Sequence, residues 1–499
     1  MHLGLRRKRG QETFMRTIGF IGLCVGITGT LLACSSSSSP AGSADTGVGH
    51  DANDNKGDSG TPHGDSGKPS KDAGHSDGGG TNMDASNVDA GGVDSGHDSM
   101  GTPMVDAGKD AAPLGPQQLL ITYGGATSGT SETVVVAVAT KAVGGHIDFA
   151  GSGFTDTRNS TSPFLLESTA NVVAKLDPVK PWLVDSTWNV ALTDGADGGT
   201  YTVDPYQVII ETGTAAYVLR YDRNDIAVIN ESMNVDGGAP TSTISLAGLL
   251  ETGDSDGVVE MTAGAYVAST NRLYVVLANV DQNVDATYNG VICGSLTSVV
   301  TAIDTQTNAV VSLGGTGPKG SVPLTYYNPT DVVYDTAGGR LLIVSEGCYA
   351  KPASVGAPLG ASSQVGVEAF DLATAKATSL LPITASEFPT GFVDVPTGFA
   401  YIDSTHAVIG FDSSGANVYN WNPTTTTLGS LIPNAPDVFT YDGNGHLLGT
   451  RADTPDGGTV STTDVVSVVV ATGVSTTLAT NLSSLSPSYV ESVDVWPHP

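Results

Sequence analysis

The chain has 499 residues, 39% of them hydrophobic and 14% charged, and its 51 acidic against 21 basic side chains leave a formal net charge of −30. That balance argues against a nucleic-acid partner, because a phosphate-binding surface needs clustered Lys and Arg. With 63 glycines, abundant Ser, Thr and Val, and few helix formers, the composition favours short strands joined by many turns.

Residues 1–33 read as an export signal: Arg6, Arg7, Lys8 and Arg9 supply positive charge and Ile18–Leu32 an apolar core. The apolar run is shorter than the ~20 residues of a spanning helix, which weakens the reading as a transmembrane anchor. Leu31-Leu32-Ala33-Cys34 resembles the bacterial lipobox. The resemblance implies cleavage between Ala33 and Cys34 and acylation of Cys34, which becomes the new N-terminus. Ordinary cleavage without lipid is the alternative. Two or three acyl chains hold a protein on a membrane far better than one. Ser35 rather than Asp follows the Cys, which in enteric-type bacteria implies sorting to the outer membrane, facing the periplasm or the cell surface. Met15 opens a segment that is by itself a complete lipoprotein signal.

Residues 34–115 are the lipidated Cys and a low-complexity linker of repeated Asp-Ala-Gly and Asp-Ser-Gly units, with 13 Asp against 4 Lys. So few large apolar residues cannot offset the entropy of ordering the chain, so a disordered tether is expected. Its r.m.s. span is roughly 50 Å, from ~5–6 Å × √n. His50, His63, His75 and His97 dot it, as solvated linker residues or, alternatively, as metal captors.

From Pro116 the composition changes abruptly, and residues 116–499 carry a repeat. Each unit has a strand, a polar turn, and a second strand that often ends in an acidic or amide residue before a Thr-rich stretch. The units are SETVVVAVAT; PFLLEST with NVVAKLDP; AAYVLRY with NDIAVINES; RLYVVLANVD with SVVTAIDTQTNAVV; RLLIVSEGC with VGVEAFDLATAKA; HAVIGFD with ANVYNWNPTTTTL; and HLLGTRAD with DVVSVVVATGVSTTL. A second signal is a Pro two residues before a β run, at Pro205, Pro329, Pro389, Pro436 and Pro487, spaced by 124, 60, 47 and 51 residues. Pro suits the start of a strand because it has no N–H to leave unpaired. A period near 50 with about four strands per unit predicts propeller blades. The last Pro strand, Ser488–Trp496, has no unit after it, and the first unit has no Pro strand before it. Lending the C-terminal strand to the N-terminal blade fills both gaps and removes open edges. The expectation is an all-β propeller of seven blades, with six or eight as alternatives.

Ala216–Asn230, with its Tyr-Val strand, polar turn and Val-x-[Val/Ile]-[Asp/Asn] strand, resembles the YVTN-type β-propeller repeat of bacterial surface and periplasmic proteins, and the likeness extends over roughly 130–499. Tethers of this Ser/Gly/Asp type behind a lipobox are similar to those of predicted lipoproteins of myxobacteria and their relatives. The resemblance implies a fold and an export habit rather than one activity, because propellers host binding, scaffolding and catalysis alike.

Of four cysteines, Cys24 lies in the signal and Cys34 is the lipid site. Cys293 and Cys348 fall in neighbouring units, and since exported thiols tend to pair, a disulfide is expected, with two unpaired thiols as the alternative. The densest acidic stretch holds Asp254, Asp256 and Glu260, and Asp-x-Asp-Gly is how many calcium loops begin. The third acidic position of a full loop is absent, so a solvated turn competes with a calcium site. Tyr221–Asp225 reads as a turn with a local Arg–Asp pair. His146, His406, His446 and His498 are scattered, which does not encode a metal-dependent lactonase, and no G-x-S-x-G elbow is present. Trp182, Trp188, Trp421 and Trp496 read as blade core.

The expected function is therefore that of an outer-membrane lipoprotein. It would act as a single copy and display a propeller that binds a protein, peptide or glycan. The alternative is a hydrolase of the propeller-lactonase kind. At least three carboxylate, His or Asn side chains converging at the central channel would point to the latter.

Overall fold

The computed structural model describes residues 116–125, 129–158, 161–191, 203–211, 214–254, 256–280, 296–347, 365–383, 396–411, 417–453, 462–485 and 488–498. Within them, runs rich in Val, Ile, Thr and aromatic residues form strands that pair into seven antiparallel sheets, the blades of a propeller. Blade 1 contains β1 (Gln118–Gly125), β2 (Thr130–Ala137) and β3 (Ala142–Ala150). Blade 2 contains β4 (Gly153–Asp156), β5 (Phe164–Glu167), β6 (Val172–Leu176) and β7 (Val184–Asn189). Blade 3 contains β8 (Pro205–Ile210), β9 (Ala215–Arg220), β10 (Asp225–Asn230) and β11 (Ser242–Ser245). Blade 4 contains β12 (Met261–Val267), β13 (Arg272–Leu277), β14 (Val299–Asp304) and β15 (Ala309–Val311), and β16 (Val322–Pro323) also pairs with β14. Blade 5 contains β17 (Pro329–Asp335), β18 (Arg340–Ser345), β19 (Gly366–Asp371) and β20 (Lys376–Pro382). Blade 6 contains β21 (Pro396–Asp403), β22 (His406–Phe411), β23 (Asn417–Asn422) and β24 (Thr427–Leu431). Blade 7 contains β25 (Val438–Tyr441), β26 (His446–Asp453), β27 (Thr462–Val469) and β28 (Ser475–Thr480).

The final strand, β29 (Ser488–Trp496), pairs with β1 and becomes the inner strand of blade 1, in the order β29-β1-β2-β3. The ring is closed as expected, and seven is the blade number. Apolar clusters fill the space between every two neighbouring blades, including the seam, where Leu119, Ile121 and Val134 meet Leu448 and Val465. Several second and third strands, such as β9 and β14, are apolar almost throughout because both their faces are buried in these clusters. Burying one such Val, Leu or Ile contributes roughly 1.5–3 kcal/mol. The tryptophan expectation holds for Trp188, Trp421 and Trp496, which are buried. Trp182 is only half-buried.

The inner strand of blade 6 begins at Pro396 rather than Pro389, which lies outside the described residues. The sequence Pro-Thr-Gly-Phe occurs twice there, seven residues apart, so the motif alone does not fix which copy opens the strand. The inner strands share a further device. The register slips by one residue at the second residue of four of them, at Tyr206, Thr262, Thr330 and Thr397, and at the fourth residue of β29, Glu491. A bulge of this kind re-aims the side chains that follow.

The meander puts all first-to-second and third-to-fourth strand connections at one end of the ring, here the turn rim. These connections run from two residues (404–405) to eleven (231–241). The other end, the loop rim, carries connections of up to 21 residues (278–298). No helix among the described residues is long and apolar enough to cross a bilayer.

Candidate functional site

The inner strands present backbone N–H and C=O groups to the channel side, where no neighbouring strand pairs with them. Side chains do so instead. Glu491 and Ser492 of β29 accept the Gly153 and Thr155 N–H groups of β4 at 3.1 Å each. Asp156 of β4 accepts the Val208 N–H of β8 at 2.9 Å. Gln207 of β8 exchanges two hydrogen bonds with the Gly264 backbone of β12, at 2.8 and 3.2 Å. Blades 1 to 4 are thus laced together at their inner edges.

A cluster of charged groups sits on this lacing. Arg158 follows β4 in blade 2, and its guanidinium donates to Asp331 on β17 at 2.6 Å. Blades 3 and 4 lie between them on one side of the ring, and blades 6, 7 and 1 on the other. The arm therefore crosses the channel. Its Nε also lies 3.4 Å from Asp156, and Asp494 on β29, which accepts the Thr155 hydroxyl at 2.7 Å, adds a third negative charge. Burial works against the guanidinium charge, but the carboxylates of Asp331, Asp156 and Asp494 outweigh it and raise the Arg158 pKa. Three carboxylates do converge at the channel, with a guanidinium among them where a metal-dependent hydrolase would hold its ion.

The predicted acidic stretch lies at the loop rim, before β12. Asp254 accepts the N–H groups of Asp256 and Gly257 at 3.1 and 3.0 Å, and Asp256 accepts that of Val258 at 2.9 Å. Both carboxylates thereby shape their own turn, a habit of Asp in loops. Glu260 points elsewhere. It is fully buried, with a left-handed φ of 38°, and accepts the Val280 N–H at 2.9 Å. Among the described residues no three His, Cys, Asp or Glu side chains are grouped as metal ligands. Asp204 and Asn328 repeat the Glu260 position, each buried and left-handed directly before an inner strand. Glu251, in the same stretch, has its pKa raised by burial and by the charge of Asp254, against the hydrogen bond from the Thr297 N–H.

In the turn at Tyr221–Asp225 the Arg220 guanidinium meets Asp225, and Arg223 donates to the Asp222 carbonyl at 2.9 Å. Arg220 is the last residue of β9, so its side chain reaches under the turn and also binds the Val190 carbonyl at 2.6 Å. The histidines remain apart. His146 lies 3.6 Å from Asp148, His406 3.1 Å from Asp403 and His446 2.8 Å from Asp442, in blades 1, 6 and 7. Cys34, Cys293 and Cys348 lie outside the described residues, as do the signal and the tether. In sequence Cys293 falls between β13 and β14, and Cys348 between β18 and β19.

The turn rim uses two recurring clamps. In the first, the acidic or amide residue ending a third strand accepts the N–H of a Thr three residues on: Asp304 with Thr307 at 2.9 Å, Asp371 with Thr374 at 2.7 Å, Asn422 with Thr425 at 2.9 Å. The next residue is left-handed in each case, at Asn308, Ala375 and Thr426. In the second, an Asp at the end of an inner strand or directly after it holds the Arg or His opening the second strand: Asp335–Arg340 at 2.9 Å, Asp403–His406 and Asp442–His446. The sequence signal for the second was a Tyr and an Asp shortly before that Arg or His, at Tyr334–Arg340, Tyr401–His406 and Tyr441–His446. No such signal marked Arg158.

No protein-family model and no curated protein match the chain. Among solved structures it is similar to a protein assigned as a 6-phosphogluconolactonase from Bacteroides fragilis, with a TM-score of 0.44, 13% identity, and coverage of 77% of this chain and 99% of that one. A second protein so assigned, from Bacteroides uniformis, has a TM-score of 0.41 and 12% identity, with 76% and 98% covered. The β-propeller domain of Cps50 (Swd1) from Myceliophteria thermophila has a TM-score of 0.40 and 10% identity, with 64% and 86% covered. Likeness at this distance carries no activity across.

Proposed function

We propose that the chain is an exported lipoprotein, held on the outer membrane through acylated Cys34. In this reading its propeller is a binding module for a protein, peptide or glycan at the loop rim, and it acts as a single copy. The observation that carries the reading is the difference between the rims. Connections at one end do not exceed eleven residues and several are clamped, whereas those at the other reach 21 residues. Binding surfaces concentrate on long loops positioned by a rigid scaffold. Pairing of Cys293 with Cys348 would tie two of these loops together, and thiol titration of the unreduced chain tests it, with no reactive thiol from either expected.

The three channel carboxylates favour a second reading, a metal-dependent hydrolase of the lactonase kind, with calcium at Asp254, Asp256 and Glu260 as a separate structural site. Arg158 weighs against the first part and the separation of Glu260 from the two aspartates against the second. A thermal unfolding scan with EDTA and with added calcium, beside an assay on lactones and esters, separates the readings. The binding-module reading expects an unchanged midpoint and no hydrolysis. A midpoint that falls with EDTA and recovers with calcium, together with turnover, would replace it with the hydrolase.

A further inference from the structure

Five of the large hydrophobic side chains left exposed among the described residues gather at one place, the turn rim of blades 1 to 3: Val143, Val179, Leu183, Val184 and Met233. Val179 is the most exposed of them, at 72%. It sits in the connection 177–183, Asp-Pro-Val-Lys-Pro-Trp-Leu. Two prolines stiffen this loop, and every side of it is fastened. Asp177 accepts the Val179 and Lys180 N–H groups at 2.7 Å each. Trp496 Nε1 donates to the Pro178 carbonyl at 2.9 Å, and Gln118 Nε2 to that of Val179 at 3.1 Å. The Trp182 ring lies flat on Gly144 and Gly145, where a Cβ would stand 2.6 and 2.5 Å from it. A loop held this firmly, with its apolar side chains turned outward, is pre-organised to bury them against something.

We propose that this patch is a membrane-docking surface, inserting Val179 and Leu183 into the headgroup region of a phospholipid bilayer. The occupant follows from where the chain enters the propeller. Residue 116 begins the described chain, and Gln118 bonds directly to the patch loop, so the patch lies at the root of the segment leading back to Cys34. With 81 residues between them, an acylated Cys34 would tether the patch at an r.m.s. distance of roughly 50 Å, at high effective concentration at the bilayer. Apolar tips beside a Trp and an exposed Lys, here Lys180, suit the interface. Exposed Asp185 and Asp148 border the patch and limit it to shallow insertion. Docking by the turn rim would leave the loop rim facing away from the membrane.

This inference takes its orientation from the lipoprotein reading, yet its test does without the lipid. The mature chain carrying Cys34→Ser is sedimented with vesicles of phosphatidylethanolamine and phosphatidylglycerol. Binding is expected, and it should weaken about tenfold in Val179→Asp/Leu183→Asp, one decade per ~1.4 kcal/mol, with the thermal midpoint retained. A control, Leu431→Asp/Val474→Asp, alters equally outlying side chains of blades 6 and 7 and should bind as the parent does. No sedimentation of the parent, or equal loss in both variants, would overturn the proposal. So would a parent that is dimeric in analytical ultracentrifugation and becomes monomeric in the patch variant. Labelling of the native chain with palmitate tests Cys34 separately, so the anchor can fail while the patch stands, or the reverse.

Discussion

Blade 5 carries two fully buried carboxylates, one at each rim, and their surroundings differ in kind. Asp335, at the turn rim, accepts from the Gly338 N–H at 2.8 Å, the Arg340 Nε at 2.9 Å and the Tyr401 hydroxyl of blade 6 at 2.7 Å. Glu368, towards the loop rim, accepts the N–H groups of Thr325 and Tyr326 at 2.9 and 3.2 Å. Burial raises both pKa values. At Asp335 the hydrogen bonds and the Arg340 charge reverse the direction, so its pKa is lowered. At Glu368 burial prevails and pushes the value up to about 7. Asp335 is thus fixed by a charge-assisted clamp, whereas Glu368 rests on neutral backbone donors.

The sharpest way to break this contrast is Asp335→Ala. Removing one partner of a buried pair leaves the other uncompensated, so a loss of about 3 kcal/mol is expected, read from urea unfolding. Arg340 keeps a bond to the Pro423 carbonyl and some solvent access, which places the figure at the low end of the usual range.

The two carboxylates also predict opposite pH slopes. The lowered Asp335 pKa contributes stability above the unfolded value of 3.8, lost as pH falls through the folded value. Glu368 acts in the other direction. Between the unfolded value of 4.5 and about 7 the folded chain holds a proton that the unfolded chain has released, so stability declines as pH rises through that window. The decline should be on the order of 3 kcal/mol and should be absent in Glu368→Gln when urea midpoints are followed against pH.

A smaller effect sharpens the view of the turn rim. Ala375 holds the left-handed position that Asn fills at 308. Its Cβ is strained there, so Ala375→Gly should stabilise by about 1 kcal/mol, seen as a raised thermal midpoint. An unchanged midpoint would mean that the turn relaxes without cost.

Much of the fold could be read from residues close in sequence. Strand pairs were visible in six of the seven units, because each spans a short stretch with its own turn, while the first showed a single run, and Ser488–Trp496 revealed the ring closure by lacking a unit of its own. The site was less legible. Arg158 and Asp331 are 173 residues apart, and their contact exists only because the ring brings blades 2 and 5 face to face across the channel. The third-strand acidic and amide residues were visible as a repeat, but their use as turn clamps was not. Asp254, Asp256 and Glu260 are close in sequence yet diverge, because the left-handed turn at Glu260 sends its side chain into the core.

The most direct test of the loop rim as the binding end is photo-crosslinking on intact cells that make the acylated chain. A photoreactive amino acid is placed either at the loop rim, at Asn224 or Gly347, or at the turn rim, at Thr307 or Thr374. The account predicts adducts of one discrete mass from the loop-rim positions and none of that mass from the turn-rim positions. The same adduct from Thr307 or Thr374, with none from Asn224 and Gly347, would contradict it.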